Sequence, residues 1–263
     1  MRQFISANQI KMAYQIDGPK DGPTVMMSNS LMSSVEMWDR TIPALTDRFR
    51  VIRYDTRGHG QTQVTPGPYS IALLAEDLVA LMDALDVKKA HLVGLSMGGM
   101  ICQYVGANYP DRALSLSLCD TASEMPPRTM WEERFAIARS QGIAGLLDGT
   151  IKRWFLKDFI EREPEQIEIV KKMIMATPVD GYLACASAVR DMAQSTMLLK
   201  IKVPTLILLG MQDPACTYEQ STVLHRLISQ SSLVTIDQAA HLSNIEKPAE
   251  FNRALRQFLD SVA

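Results

Sequence analysis

The chain reads as an α/β protein: a mostly parallel sheet with helices on both faces and a helical lid inserted after the sixth strand. Three observations predict it. Short β-branched runs alternate with longer segments of helical periodicity. A G-x-S-x-G segment, Gly94–Gly98, stands where one such run passes into a helix. Between about Glu124 and Asp191 the alternation stops and helical spacing takes over.

Taken in order, Asn8 to Ile16 contains the alternating MAYQI of an N-terminal hairpin strand, and Thr24–Ser28, Arg50–Tyr54, Ala90–Gly94 and Leu114–Cys119 read as strands. Ile71–Leu85 places apolar residues at helical spacing, and Met97–Asn108 continues as a helix after a glycine-rich turn. The pattern resumes with strands at Thr205–Gly210 and Leu233–Asp237 and a helix over Pro248–Val262. The middle stretch opens at Pro126-Pro127 and carries breakers at Gly142, Gly145, Pro164 and Pro178. The expected organisation is therefore a core in two parts, residues 1–123 and 192–263, interrupted by a lid over 124–191.

Composition narrows the function. Hydrophobic residues make up 47% and charged residues 21% of the 263, which is ordinary for a globular chain able to bury a large core. A formal net charge of -2, without a run of lysine and arginine, speaks against nucleic-acid or anionic-membrane partners. No stretch reaches the about 18 uninterrupted apolar residues of a membrane span, and MRQFISANQI lacks the basic and apolar regions of a signal peptide. A cytoplasmic location is expected. Cys102, Cys119, Cys185 and Cys216 form neither a C-x-x-C pair nor a zinc pattern, and Cys102 and Cys119 fall in apolar stretches as core residues do.

The chemistry is carried by Gly94-Leu95-Ser96-Met97-Gly98. The three fixed positions recur by chance in many chains; the context makes them specific. The strand AHLVG runs into the motif and the helix MGGMICQYV leaves it, which is the setting of a nucleophile elbow. A serine on that sharp turn projects its hydroxyl from the sheet. The Met97 N–H lies at a helix start, where unpaired amides favour negative charge, and can donate to an oxyanion. The second donor is expected in Asn29-Ser30-Leu31, with the backbone N–H of Leu31 as the candidate.

Of four histidines, His91 opens a strand and His225 lies in a helical pattern over Thr222–Ile228, and both read as structural. His59, in Arg-Gly-His-Gly, reads as part of a turn. His241 follows SLVTID in the short loop QAAH, the place for the base in the chain order Ser…Asp…His. The acid is Asp213, just past TLILLG, with Asp120 at the end of SLSLC as its competitor.

Ser28-Asn29-Ser30-Leu31, Met37-Trp38-Asp39, Arg53 through Gly60, Gly94–Met100, Met130-Trp131, Gln212-Asp213-Pro214 and Ala240–Asn244 together resemble the 3-oxoadipate enol-lactonases, bacterial enzymes of the α/β-hydrolase fold in the β-ketoadipate pathway of aromatic breakdown. The resemblance runs nearly the whole length. It implies Ser96 as nucleophile, Asp213 as acid and His241 as base, with Trp131 and Arg134 lining the substrate pocket. Two positions depart from the family: Met32 where glycine is usual, and Asp120 where asparagine is usual.

The implied substrate is a small anionic ring ester, opened through an acyl-enzyme on Ser96. Arg134 is the candidate for gripping its carboxylate through two parallel bonds. No metal or organic cofactor is called for. A general carboxylesterase or cofactor-free perhydrolase would use the same triad. A dehalogenase would want a carboxylate at the elbow. A ligand-binding receptor on the same scaffold would have no need of an intact triad, and a purely structural partner-binding protein would leave the elbow unexplained.

Overall fold

The computed structural model describes residues 1–125 and 127–263. Pro126, the first residue of the expected Pro-Pro entry to the lid, lies outside them. Eight strands form one sheet: β1 (Gln3–Ala7), β2 (Ile10–Asp17), β3 (Thr24–Ser28), β4 (Arg50–Tyr54), β5 (Ala90–Leu95), β6 (Ala113–Cys119), β7 (Thr205–Gly210) and β8 (Ser231–Ile236). Their spatial order is β1-β2-β4-β3-β5-β6-β7-β8. The first two pairings are antiparallel and all the others parallel.

The hairpin is a full two-stranded arm, joined at Asn8 and Gln9, both with positive φ. That is the backbone of a tight two-residue hairpin turn. The central β5 and β7 are buried at every residue, as expected of parallel strands covered on both faces, and their continuous apolar runs made them easy to place. β8 starts two residues earlier than the sequence suggests, at Ser231. It is an edge strand, half exposed, so backbone pairing with β7 sets its limits and apolar content does not.

α1 (Ile71–Ala84) and α2 (Met97–Asn108) pack together, and α2 also packs on β5 and β6. Between β6 and β7 come α3 (Arg128–Gln141), α4 (Ala144–Trp154), α5 (Lys157–Arg162), α6 (Pro164–Met175) and α7 (Val179–Arg190). Gly142 ends α3, and Pro164 and Pro178 sit at the starts of α6 and α7, so these breakers separate helices as prolines and glycines should. After β7, α8 (Tyr218–Leu227) begins four residues before the expected pattern, at a capping box in which Thr217 and Gln220 satisfy each other's amides. The short α9 (Ser243–Glu246) leads into α10 (Pro248–Val262), which packs on β7. Among the described residues no helix is long and apolar enough to cross a membrane.

Register aligns the carboxyl ends of the parallel strands. Ser28 faces Gly94, Leu95 faces Cys119, Cys119 faces Leu208, and Gly210 faces Ile236. Leu31, Ser96, Asp120, Asp213 and His241 all follow these ends, so five separate loops meet along one edge of the sheet, where open α/β sheets bind ligands. The helical insertion is fastened to that edge: the Leu242 N–H donates to Trp154 O at 3.1 Å and the Leu156 N–H to Glu246 Oε1 at 2.9 Å.

The turn between β5 and α2 has no room for side chains. A Cβ on Gly94 would lie 2.2 Å from Gly98 O, and one on Gly98 would lie 2.0 Å from Ser28 O. Both obstacles are backbone, so relief would mean moving β3 or α2. Gly98→Ala is therefore expected to cost about 3 kcal/mol or more, the upper end of overpacking losses. Gly142→Ala places its Cβ against nothing but keeps a φ of +67°, and should cost only about 1–2 kcal/mol. Urea unfolding of the two variants checks the ranking; equal losses would mean that the elbow yields easily.

Candidate active site

Ser96 has φ 55° and ψ -117°, a backbone that L-residues avoid and that strains a serine by on the order of 1–3 kcal/mol. Three bonds hold it there. Its N–H donates to Cys119 O at 2.9 Å, while its carbonyl accepts from Thr121 Oγ1 at 2.7 Å and from the Met100 N–H at 3.1 Å. Met97 follows as the first residue of α2, with its amide at the positive end of the helix.

His241 Nδ1 lies 2.7 Å from Asp213 Oδ2, and both residues are buried. With Nδ1–H donating to the carboxylate, Nε2 is left as the free base. The second oxygen, Oδ1, accepts the Ala215 N–H at 2.7 Å, which fixes the rotation of the carboxylate.

The competing acid is placed elsewhere. Asp120 accepts from the Gly210 N–H through Oδ1 at 2.7 Å and from the Ser243 hydroxyl through Oδ2 at 2.5 Å. It ties β6 to the end of β7 and to α9 and makes no bond to His241. Complete burial, with Asp213 nearby, pushes its carboxyl well above the usual range.

The loop after β3 is held by side chains that never reach the cavity. Asn29 is fully buried, donating to Tyr54 O at 2.8 Å and accepting from Trp38 Nε1 at 2.8 Å. The Leu31 and Met97 amides have no acceptor among the described residues, as an oxyanion-binding pair requires. Between them and the turn of Gly58–Gly60 stands His59, which the sequence did not single out: its Nε2 accepts the Met32 N–H at 2.9 Å. Its Nδ1 therefore carries the proton, with Arg57 O at 3.5 Å. Burial lowers its pKa to about 4, so it stays neutral and able to accept. Met32 has φ +64°, the left-handed region in which glycine is at home, and this histidine bond helps to hold a bulkier residue there.

Met32 also enters the cavity. The narrow cleft holding Ser96 and His241 has a volume of about 50 Å³, and Leu31, Met32, Trp131, Arg134, Thr150, Arg153 and Cys216 are among its walls. A larger groove of about 680 Å³ lies between β8 and α10 but touches none of the triad. Trp131 is buried in α3, and Arg134, one turn on, has its guanidinium 4.7 Å from the Trp131 ring. The Trp131 Nε1–H and Arg134 Nε–H are both buried without an acceptor among the described residues. His91 and His225 bond to Ser115 and Ser231, away from this space.

The donor atoms of Asp213, Cys216 and His241 lie within 4.8 Å of one another. Both oxygens of Asp213 are already engaged, one by His241 itself, and burial holds the Cys216 thiol well above its usual range. These donors suit a proton-transfer pair better than a metal.

The model of the α/β hydrolase fold family matches residues 23–248. The chain belongs to that family. It is 33% identical over 254 residues to 3-oxoadipate enol-lactonase 2 of Acinetobacter baylyi, covering 97% of this chain and 95% of the relative. Among solved structures, the enol-lactonase from Burkholderia xenovorans LB400 superposes with a TM-score of 0.96 at 35% identity, covering 98% of this chain and all of that one. A thermophilic esterase from Thermogutta terrifontis superposes at 0.92 with 31% identity, over 100% of this chain and 99% of that one. These likenesses make this α/β hydrolase a carboxylic ester hydrolase.

Two measurements probe the arrangement. Asp213→Asn is expected to lose orders of magnitude in turnover, while Asp120→Asn, which keeps an acceptor for the Gly210 N–H and makes no bond to His241, should stay within a few-fold. The reverse ranking would move the acid to β6. The second concerns His59. Its folded-state pKa of about 4 lies below the free value of 6.5, so the unfolded chain takes the proton first. Stability is then complete above about pH 6.5 and falls toward pH 4, by about 3 kcal/mol at most. In His59→Gln, whose amide oxygen can still accept from Met32, that part of the decline should vanish from denaturation midpoints taken between pH 7 and 4.

Proposed function

We propose that this hydrolase opens 3-oxoadipate enol-lactone to 3-oxoadipate, using Ser96, His241 and Asp213. One observation carries the reading: the small cavity that holds Ser96 and His241 is also rich in unpaired donors. Arg134 has no carboxylate partner among the described residues, and Glu132 on the same helix pairs with Arg190. A substrate bearing a carboxylate would supply what Trp131 and Arg134 lack. The enol-lactonase relatives carry substrates of this kind in their names.

In this reading Ser96 Oγ attacks the lactone carbonyl carbon while His241 Nε2 takes the hydroxyl proton, and Asp213 stabilises the imidazolium. The oxyanion rests on the Leu31 and Met97 amides. Collapse breaks the ring C–O bond. The leaving oxygen departs as an enolate, receives the proton held on His241 and becomes a ketone after tautomerisation. Water then gives a proton to His241 and attacks the ester on Ser96, and the serine leaves with that proton as the acid is released.

Loss of lactone absorbance with purified enzyme, beside a panel of simple esters, tests the proposal. Ser96→Ala and His241→Ala should each cut turnover by on the order of 10⁴-fold or more, and the double variant by little more than either. Arg134→Ala should lower kcat/KM for the lactone by about 10- to 150-fold, the worth of a charge-assisted bond. Brisk turnover of neutral esters with none of the lactone would leave a carboxylesterase.

A further inference from the structure

The most deeply buried arginines of this protein are paired with acids. Arg53 holds Asp17 at 2.9 Å and Asp39 at 2.6 Å, and Arg57 holds Asp77 at 2.6 Å. Arg134 and Arg153 differ. Both are half-buried walls of the cavity that contains Ser96, and neither has an acidic partner within ion-pair distance among the described residues. The partner given for Arg153 is a neutral hydroxyl, Thr150 Oγ1 at 3.2 Å, which itself donates to Leu146 O at 2.8 Å. Two like charges facing one narrow cleft repel each other and lose hydration there. Burial, and then the Arg134 charge, push the Arg153 guanidinium down to about 10, which still leaves it protonated at neutral pH.

No acid is among the described walls of this space, and Asp213, which lies behind His241, has its oxygens taken by His241 and Ala215. What remains is an excess of donors: two guanidinium groups and the buried, unpartnered Trp131 Nε1–H. A neutral ligand would leave the two charges uncompensated. An anion would meet both.

We propose that Arg153, on α4, is the second jaw of a carboxylate clamp whose first jaw is Arg134 on α3, so that one terminal carboxylate of the substrate is held from two helices of the insertion. The clamp deepens the function proposed above, and it sets specificity for the charged end of the substrate rather than for the bond that breaks. α3 and α4 are packed together, so a carboxylate seated between their arginines would also draw both helices onto the occupied site.

The test uses two activated esters of similar size, mono-4-nitrophenyl succinate, which ends in a carboxylate, and 4-nitrophenyl butyrate, which does not. The readout is the ratio of their kcat/KM values, with the inhibition constant of glutarate as a second measure that needs no turnover. The wild type should favour the charged ester. Arg153→Met, which keeps an apolar stem of similar length, should lower the ratio by about 10- to 100-fold and weaken glutarate by a similar factor. Arg153→Lys should recover part of both, since it keeps the charge and loses the fork. Its partial recovery also reads the clamp should the methionine variant fail to fold.

An unchanged ratio in Arg153→Met would overturn the proposal. So would equal losses on both esters, which would reduce Arg153 to a packing residue of α4, or a wild type indifferent to the carboxylate. A charged-ester preference that depends on Arg153, in an enzyme without lactone turnover, would sustain the clamp while removing the lactone from the function.

Discussion

At the end of β5 the chain reverses into α2 in a space where Gly94, Gly98 and the Ser28 carbonyl stand backbone to backbone. Everything catalytic in this fold is referred to that approach. It brings the start of α2 against the end of β3, so the Met97 amide and the loop carrying Leu31 come to one place, and it holds Ser96 in a conformation that a relaxed serine would leave. The energy for that strain comes from neighbours with no chemical part in the reaction. Cys119 and Thr121, at the end of β6, hold Ser96 by its own amide and carbonyl.

Around this point the site separates its charges by giving each buried group a fixed set of partners. Asp213 and Asp120 are close enough to affect each other, yet their surroundings assign them different work. Asp213 faces an imidazole that can become positive, and the Ala215 amide keeps it aimed. Asp120 faces an amide and a hydroxyl, is sealed from water, and acts as a strut between β6, β7 and α9. His59 follows the same logic with the opposite sign: burial keeps it neutral, and a neutral ring can accept the Met32 amide and brace the oxyanion loop. On the far side of the cavity the balance is left open, with arginines on two helices of the insertion and no acid to meet them. In the reading proposed above, the charge missing from Arg134 and Arg153 among the described residues comes from an anionic ligand.

Much of the molecule was legible before any coordinates because its signals are local. A run such as TLILLG is a buried strand whatever surrounds it, a helix starting MGGMICQYV after AHLVG is an elbow, and Pro164 and Pro178 mark helix starts through the geometry of their own rings. Ser96, Asp213 and His241 stood out for the same reason, each lying a few residues past a strand end. The β8 boundary and the first arm of the hairpin were less visible, because edge strands are half solvated and their extent is set by pairing with a neighbour.

By itself the sequence indicated the order of the elements, a serine on a sharp turn and the chain order of the proposed Ser-Asp-His set, since all of these follow from the preferences of adjacent residues. Choosing between Asp213 and Asp120 needed distances across strands, because both are aspartates at the ends of apolar runs and differ only in what the fold sets opposite them. His59 looked like a turn residue because the amide it accepts is 27 positions away in the chain. Arg153 looked like one more charge near the end of a surface helix. That it faces the nucleophile's cavity without a counter-charge follows from how α3 and α4 lie over the sheet edge, and helical periodicity carries no record of that placement.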